Sequence, residues 1–172
     1  RRCAAGRPAG TRIVKSPRFC SACGAPLAPT PLAGRMRLAC SAPCGHVEWG
    51  NPLPVVAALV EREGMIVLAR NHAWQPGVFG LVTGFLEAGE SPEAAVAREV
   101  KEELDLDASA LSLIGAYPFE RKNELILAYH VQAAGEIVLN EELAEFRLIA
   151  PEKLRAWDFG TGLAVRDWLA RR

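Results

Sequence analysis

The chain has 172 residues, of which 50% are hydrophobic, and its 20 Lys and Arg balance its 20 Asp and Glu. This composition excludes wholesale disorder, and no apolar run approaches the roughly 20 residues that span a membrane. The charge is unevenly divided, because residues 1–48 hold eight bases against the single acid Glu48, whereas residues 49–172 hold 12 bases against 19 acids. We expect a cytoplasmic protein, since the N-terminus lacks the apolar core of a secretion signal.

The chain divides into three predicted segments. Residues 1–18 are rich in Arg, Gly and Pro without hydrophobic periodicity, and we predict a flexible basic tail in which Cys3 has no special role. Residues 19–48 hold two cysteine pairs and are too short and too rich in Gly and Pro for a hydrophobic core of their own. The dipeptide Asn51-Pro52 marks the boundary with a domain over residues 49–172.

Strands and helices alternate in the predicted domain. Runs rich in β-branched and aromatic residues predict strands at 54–61, 65–70, 81–83, 111–117, 124–132 and 146–149. The clearest helix follows Ser91 as N-cap, has Pro92 at its first position and ends at Leu104. A second helix is predicted over residues 161–170. Strands interleaved with two helices predict an α+β fold.

The cysteine spacing predicts a metal site. Cys20 and Cys23 are separated by two residues, and Cys40 and Cys44 by three, with 16 residues between the pairs. Two close pairs joined by a loop can bind Zn²⁺ tetrahedrally, and four protein ligands leave no position for a substrate water, so the zinc would be structural. The alternatives are unrelated thiols or two disulfides, which a cytosolic chain disfavours. His46 is an alternative ligand or a surface histidine.

The helix after Ser91 concentrates carboxylates. Apolar residues at positions 96, 100 and 104 form one stripe, and Glu99, Glu102 and Glu103 converge on an adjacent face. Like charges at this spacing repel, and hard divalent cations with oxygen ligands such as Mg²⁺ relieve the repulsion. Arg98 can pair with Glu102 one turn on and hold it in place.

These residues resemble the Nudix box, G-x5-E-x7-R-E-U-x-E-E-x-G-U, in which U is a bulky apolar residue. The positions in register are Gly84, Glu90, Arg98, Glu99, Val100, Glu102, Glu103 and Leu106. Asp105 replaces the last glycine, and Asp tolerates the left-handed conformation with which a helix often ends. The resemblance implies the Nudix fold, a mixed β-sheet sandwiched between helices, here preceded by a small zinc ribbon with four cysteine ligands.

The resemblance also implies hydrolysis of a nucleoside diphosphate linked to another moiety. In that family the glutamates of the box bind Mg²⁺ or Mn²⁺, which implies Glu99, Glu102 and Glu103 as ligands with Glu90 in support. A diphosphate is anionic, so a carboxylate site binds it through bridging cations. Glu102 is a candidate general base. Glu142 is another candidate base or a further ligand, and its alternative interpretation is a solvated loop acid.

A four-cysteine ribbon before a Nudix domain is similar to the NADH pyrophosphatase group and to related FAD and ADP-ribose pyrophosphatases. This resemblance covers about residues 18–150 and implies release of AMP and a second monophosphate, and a homodimer. The NADH enzymes carry Ser-Gln-Pro-Trp-Pro-Phe-Pro-x-Ser after the box, of which only Pro118-Phe119 remains here. The preferred nucleotide therefore stays open.

Several residues are candidates for substrate binding. They are Gly84, whose backbone can approach a ligand closely, and Arg70, Tyr117 and Phe119. Either aromatic can stack on a base while Arg121 or Lys122 contacts phosphate, and Trp74 is a further candidate. The alternatives are sheet core for the aromatic residues and a surface position for Arg70.

The excess of basic residues over positions 1–48, here called the basic head, supports a second class of function. Lys and Arg neutralise phosphates, so a nucleic-acid-binding adaptor that uses the ribbon and the tail is an alternative hypothesis. Against it, residues 20–44 hold only Arg35 and Arg37 and no aromatic residue for stacking. Removal of nucleotide caps from RNA 5′ ends combines the two hypotheses.

Overall fold

A computed structural model describes residues 16–172, which form two compact units. The first comprises residues 16–52 and 121–123, and the second comprises residues 53–120 and 124–172. Most of the predicted tail, with Cys3, lies outside the described residues. Within the described part of the chain, no helix has the length and apolarity needed to cross a membrane.

The first unit is a small antiparallel sheet of β1 (Leu27–Leu32), β2 (Arg35–Cys40) and β3 (Val47–Glu48) in that order. The sequence did not predict these strands, because Pro29 and Pro31 remove backbone donors. Both prolines lie in β1, an edge strand, where such a loss is tolerated. The β1–β2 turn places Ala33 and Gly34 at φ 49° and 74°, as a tight hairpin requires.

The second unit contains a six-stranded mixed sheet. Its strands are β4 (Leu53–Arg62), β5 (Met65–Asn71), β6 (Val82–Phe85), β7 (Asp107–Phe119), β8 (Glu124–Ala134) and β9 (Leu143–Ile149). The order is β7-β8-β4-β5-β9, with β6 beside β4, and only β4 and β8 are parallel. All six predicted strands are present, and β7 and β9 begin earlier than expected, because alanine and charged residues at their starts are weak β-formers.

Helices cover both faces of this sheet. Helix α1 (Pro92–Leu104) packs on Val56, Ala58 and Val60 of β4, and helix α2 (Gly162–Ala170) packs on the alternating residues of the other face. A short 3₁₀ helix, Pro151–Lys153, precedes α2. The central strand β4 is buried on both faces, which explains its continuous apolar run. The predicted α+β sandwich is confirmed.

The ends of α1 follow the predicted capping. The Ser91 hydroxyl accepts a hydrogen bond from the Ala94 N–H at 3.2 Å. Asp105 takes the left-handed conformation at φ 56° and ψ 25°, and its N–H donates to the Lys101 carbonyl. The replacement of the box glycine by Asp therefore leaves the helix end intact.

Candidate active site

Three glutamates of α1 differ in exposure along one side of the helix. The side chains of Glu99 and Glu102 are 13% and 55% exposed, whereas Glu103 is buried at 8%. Gly84 on the adjacent strand β6 lies against Glu99, and a Cβ atom at Gly84 would collide with the Glu99 carboxylate. The backbone of Gly84 lies outside the left-handed region, unlike that of Gly89, whose φ is +84°. Glycine is therefore needed at position 84 for the space that it leaves and not for its backbone conformation.

Arg98 connects the carboxylates to one another. Its Nε and Nη2 donate to the two oxygens of Glu90 at 2.9 and 3.1 Å. Its Nη1 donates to Glu99 at 2.7 Å and to Glu102 at 2.9 Å, so the predicted Arg98–Glu102 pair is present. Nη2 also donates to the Phe85 carbonyl at 3.1 Å, which ties the guanidinium to the end of β6. One arginine therefore fixes three carboxylates and a strand end.

The carboxylates differ in the direction in which their pKa values are shifted. The hydrogen bonds from Arg98 lower the pKa of Glu90, which keeps that carboxyl ionised. Burial raises the pKa of Glu99 in spite of Arg98. Burial also raises the pKa of Glu103 to about 8, and the neighbouring charges of Glu99, Glu142 and Glu102 add to the effect.

Glu142 belongs to this electrostatic cluster although it is distant in sequence. It precedes β9, and its backbone turn is held by the Asn140 side chain, which accepts from the Glu142 N–H at 3.0 Å. The Asn140 N–H donates to the Glu103 carbonyl at 3.3 Å, so this loop runs along the end of α1. The negative charge of Glu142 therefore acts on both Glu99 and Glu103.

The donor set fits a hard divalent cation. Among the described residues, no group donates a hydrogen bond to the buried Glu103 carboxylate, and the charges that act on it are those of Glu99, Glu142 and Glu102. An unpaired buried carboxylate is costly unless a cation or a proton neutralises it. Carboxylate oxygens are the ligands that Mg²⁺ and Mn²⁺ prefer.

The two candidate aromatic residues lie away from this cluster. Tyr117 is buried beneath α2, and its hydroxyl donates to Asp167 of that helix at 2.9 Å. Phe119 packs against the same hydrophobic cluster, on the face of the sheet opposite α1. The sheet-core interpretation therefore holds for Tyr117, because alternation along β7 directs its ring under α2. The structure does not bring either ring together with the carboxylates.

The remaining candidates for substrate binding are three cationic residues and one tryptophan. Arg70 pairs with Glu145 across β5 and β9 at 2.6 Å and shares the α2 face of the sheet with Leu68. Trp74, 39% exposed, packs against Gly80 in the loop after β5. Arg121 and Lys122 belong to the first unit. Arg70 therefore lies on the face of the sheet opposite α1 and its glutamates.

One exposed aromatic residue, linked to the carboxylates through Arg98, was missed by the sequence analysis. Phe85 is 54% exposed, follows Gly84 directly, and has its carbonyl held by Arg98. In the sequence it stands at a variable position of the box, which assigns it no role. An aromatic residue next to the box glycine, at the solvent end of a short strand, is the pattern that could have found it.

The four cysteines of the first unit form one cluster. All four Sγ atoms lie within 4.8 Å of one another, with Cys20–Cys44 at 3.6 Å and Cys23–Cys40 at 3.5 Å. A tetrahedral Zn²⁺ with Zn–S bonds of about 2.3 Å requires sulfur separations of about 3.8 Å. A disulfide requires about 2.05 Å, so the four thiols are free. The donor set fits zinc, and His46 contacts Ser21 instead of joining the sulfurs.

A known domain family matches most of this chain. Residues 51–168 match the sequence model of the NUDIX domain. The chain belongs to the NUDIX domain family. The match contains the whole box, the loop of Glu142, helix α1 and most of α2, whereas the four cysteines precede it.

Relatives of the NUDIX chain include longer proteins. It is 34% identical over 164 residues to the NAD-capped RNA hydrolase NudC of Stutzerimonas stutzeri (strain A1501), covering 92% of this chain and 58% of that one. It is 34% identical over 129 residues to the protein of the same name from Pseudomonas aeruginosa (strain LESB58), covering 74% and 45%. The chain thus spans about half the length of the curated relatives it matches.

Solved structures share the NUDIX fold. A NUDIX hydrolase from Nitrosomonas europaea superposes with a TM-score of 0.69 at 24% identity and covers 80% of each chain. An ADP-ribose pyrophosphatase from Streptococcus suis has a TM-score of 0.58 at 20% identity, covering 70% of this chain and 92% of that one. These likenesses support the expected mixed sheet between helices.

Proposed function

We propose that this NUDIX domain hydrolyses the diphosphate linkage of a nucleoside diphosphate derivative of the NADH, ADP-ribose or FAD class. The products would be AMP and a second monophosphate. The observation that carries the proposal is that buried Glu103 lies within the electrostatic influence of three other carboxylates, Glu99, Glu102 and Glu142. The names of the NudC relatives, which are hydrolases of a nucleotide-capped substrate, agree with this chemistry.

The glutamates of α1 have distinct proposed roles. Glu99, Glu102 and Glu103 would hold Mg²⁺ or Mn²⁺, which family members generally use. When bound, such ions polarise the phosphorus centre, activate water and neutralise the leaving phosphate. Glu90 would support the site indirectly, through Arg98. Its two carboxylate oxygens accept from Nε and Nη2 of Arg98, and this two-point contact fixes the guanidinium in one orientation.

Two carboxylates remain candidates for the general base. Glu102 is the most exposed of the three candidate metal ligands on α1, and Arg98 holds one of its oxygens, which leaves the other available to a water. Glu142 lies on an exposed loop and acts electrostatically on Glu99 and Glu103. Glu102→Gln and Glu142→Gln should be distinguished by the pH dependence of kcat, because only loss of the base removes its acidic limb.

Substrate binding is proposed at the end of β6. Phe85 offers an exposed ring for stacking on a base or a second ring system, and its carbonyl accepts a hydrogen bond from Arg98, which holds the carboxylates. Gly84 would contribute by leaving room for Glu99. Tyr117 is better explained as core, and roles for Phe119 and Arg70 in binding have no support from their surroundings.

The four-cysteine unit has a structural role in the proposal. Zinc at Cys20, Cys23, Cys40 and Cys44 would hold the strands of a unit that has little core of its own. We propose that the chain consists of the tail 1–18, the ribbon 19–48 and the NUDIX domain 49–172. We also propose that it forms a homodimer.

The function is tested with a panel of nucleotides. Purified protein with Mg²⁺ should release AMP from at least one of NADH, ADP-ribose and FAD, and the mass of both products identifies the bond cut. Glu103→Gln should reduce kcat by at least about 100-fold, whereas Glu136→Gln, at an exposed position, should not. No AMP from any of the three, or an unimpaired Glu103→Gln enzyme, would contradict the proposal.

A second candidate substrate is an NAD-capped RNA, which the names of the NudC relatives favour. The bond cut would be the same, so only the body of the substrate differs. Comparison of kcat/KM for capped RNA and for NADH decides between them. The adaptor hypothesis rests mainly on residues 1–18, of which 1–15 lie outside the described residues. It predicts RNA binding that weakens steeply with salt and disappears when residues 1–18 are removed.

A further inference from the structure

The loop between β8 and β9 completes the carboxyl end of α1. The Val138 N–H donates to the Leu104 carbonyl at 3.0 Å, and the Asn140 N–H donates to the Glu103 carbonyl at 3.3 Å. The last four carbonyls of a helix have no partner within the helix, so this loop supplies two of the missing donors. The loop is thereby fixed to the turn of α1 that carries Glu103.

Asn140 makes a second set of contacts through its side chain. Its Oδ1 accepts from the Glu142 N–H at 3.0 Å and from the Leu143 N–H at 3.2 Å. Asparagine favours such turns, because its short side chain can bond the backbone two residues further along the chain. Leu143 is only 6% exposed and belongs to the core on the α1 face of the sheet, so it anchors the far side of the turn.

The backbone of Glu142 is held at both of its polar groups. Its N–H is bound by Asn140, and its carbonyl accepts from the His72 N–H at 2.9 Å, directly after β5. The residue itself is exposed, yet its charge acts on Glu99 and Glu103. The fixed backbone therefore keeps an exposed carboxylate within electrostatic reach of the α1 glutamates.

Asn140 thus links the two parts of the proposed site. Its N–H reaches the carbonyl of Glu103 and its Oδ1 reaches the N–H of Glu142, so one residue sets the separation of the two backbones. Such a separation matters for catalysis, since a displacement of about 1 Å can cost about 100-fold in rate. The competing interpretation is that the side chain only stabilises the loop, and then its loss would not depend on Glu142.

We propose that Asn140 is a positioning residue that holds Glu142 beside the α1 glutamates that would bind the metal. The inference rests on the proposed function, in which Glu142 serves as a base or as a further ligand. Asn140 is assigned no contact with metal or substrate, and it acts through Glu142.

A double-mutant cycle tests this role. Asn140→Ala removes the side-chain acceptor but keeps the backbone N–H that donates to Glu103, and it should lower kcat by about 10- to 30-fold. In the Glu142→Gln background the same change should lower kcat by less than about 2-fold, because the carboxylate that it positions is already gone. Equal factors in the two backgrounds, or an unchanged kcat in Asn140→Ala, would overturn the proposal.

Two variants separate positioning from a loss of stability. Asn140→Asp keeps an oxygen that can accept from the same N–H groups, and it should retain kcat within about 3-fold. Tyr129→Phe is the matched control for a weakened α1, because the Tyr129 hydroxyl donates to Glu93 in the first turn of that helix. It should lower the thermal stability and leave kcat unchanged. Loss of kcat in Asn140→Asp, or an equal loss in Tyr129→Phe and Asn140→Ala, contradicts positioning.

Mn²⁺ affinity measures the same role without catalysis. The EPR signal of free Mn²⁺ gives the dissociation constant, which Asn140→Ala should raise by about 3- to 10-fold, because a displaced carboxylate attracts the ion less. In the Glu142→Gln background the increase should be less than about 2-fold. A wild type that binds Mn²⁺ but releases no AMP contradicts the proposed function alone, and equal factors in this second cycle overturn the role of Asn140. A wild type that binds no Mn²⁺ overturns both.

Discussion

Glu103 is expected to destabilise the metal-free protein as the pH rises. Its pKa is raised from 4.5 to about 8 by burial and by the charges of Glu99, Glu142 and Glu102. Between these two values the folded chain binds the proton more tightly than the unfolded chain does. The free energy of unfolding is therefore highest below about pH 4.5, falls as the pH rises toward 8, and is constant above that value as far as this group is concerned.

The magnitude follows from the same pKa difference. A change from 4.5 to about 8 corresponds to an upper limit of about 5 kcal/mol. Local relaxation and water entry reduce the penalty of a buried ion, so we expect about 2 to 3 kcal/mol to be measured. Glu103→Gln should remove this decline, because the amide carries no charge. At pH 8 without divalent cations, the variant should be more stable than the wild type.

The assay is urea unfolding at several pH values in Mg²⁺-free buffer. Trp74, Trp157 and Trp168 report on the second unit, and Trp49→Phe removes the only tryptophan of the first. The quantity compared is the difference between Glu103→Gln and its parent, since other groups titrate in both. Equal pH dependence of the two proteins would refute the reasoning, and Glu136→Gln should match the parent throughout. Added Mg²⁺ should stabilise the parent far more than the Gln variant.

Three further changes test single contacts. Gly84→Ala should lower kcat by at least about 100-fold and reduce Mg²⁺ affinity, because the added methyl displaces the Glu99 carboxylate, and a Mg²⁺ titration of activity checks this. Cys23→Ser should reduce bound zinc, measured by mass spectrometry of metals, and abolish hydrogen-exchange protection of the ribbon strands. Tyr129→Phe should cost about 1 to 2 kcal/mol in thermal unfolding, because the Tyr129 hydroxyl donates to Glu93 of α1 at 2.7 Å. Retained protection in the ribbon, or unchanged kcat in Gly84→Ala, would contradict the corresponding contact.

Local sequence signals determined the helix and its chemistry. Ser91 and Pro92 mark where α1 begins, Asp105 marks where it ends, and apolar spacing fixes the buried face. The convergence of Glu99, Glu102 and Glu103 follows from the helical period alone. The cysteine spacing likewise predicted the four-sulfur cluster, because each pair is brought together by a short turn that the chain makes locally.

Contacts between distant segments could be decided only by the tertiary structure. The sequence offered Tyr117 as an aromatic residue for substrate binding and assigned Phe85 no role. Strand alternation buries Tyr117 under α2, whereas Phe85 is exposed and its carbonyl is bonded to Arg98. Glu142 joins the cluster because its loop runs along the end of α1. The charge split of the sequence predicted a basic head and an acidic body. Only the fold shows that residues 108–119, which carry no charged side chain, belong to an edge strand of the acidic unit, because strand order depends on pairings far apart in the chain.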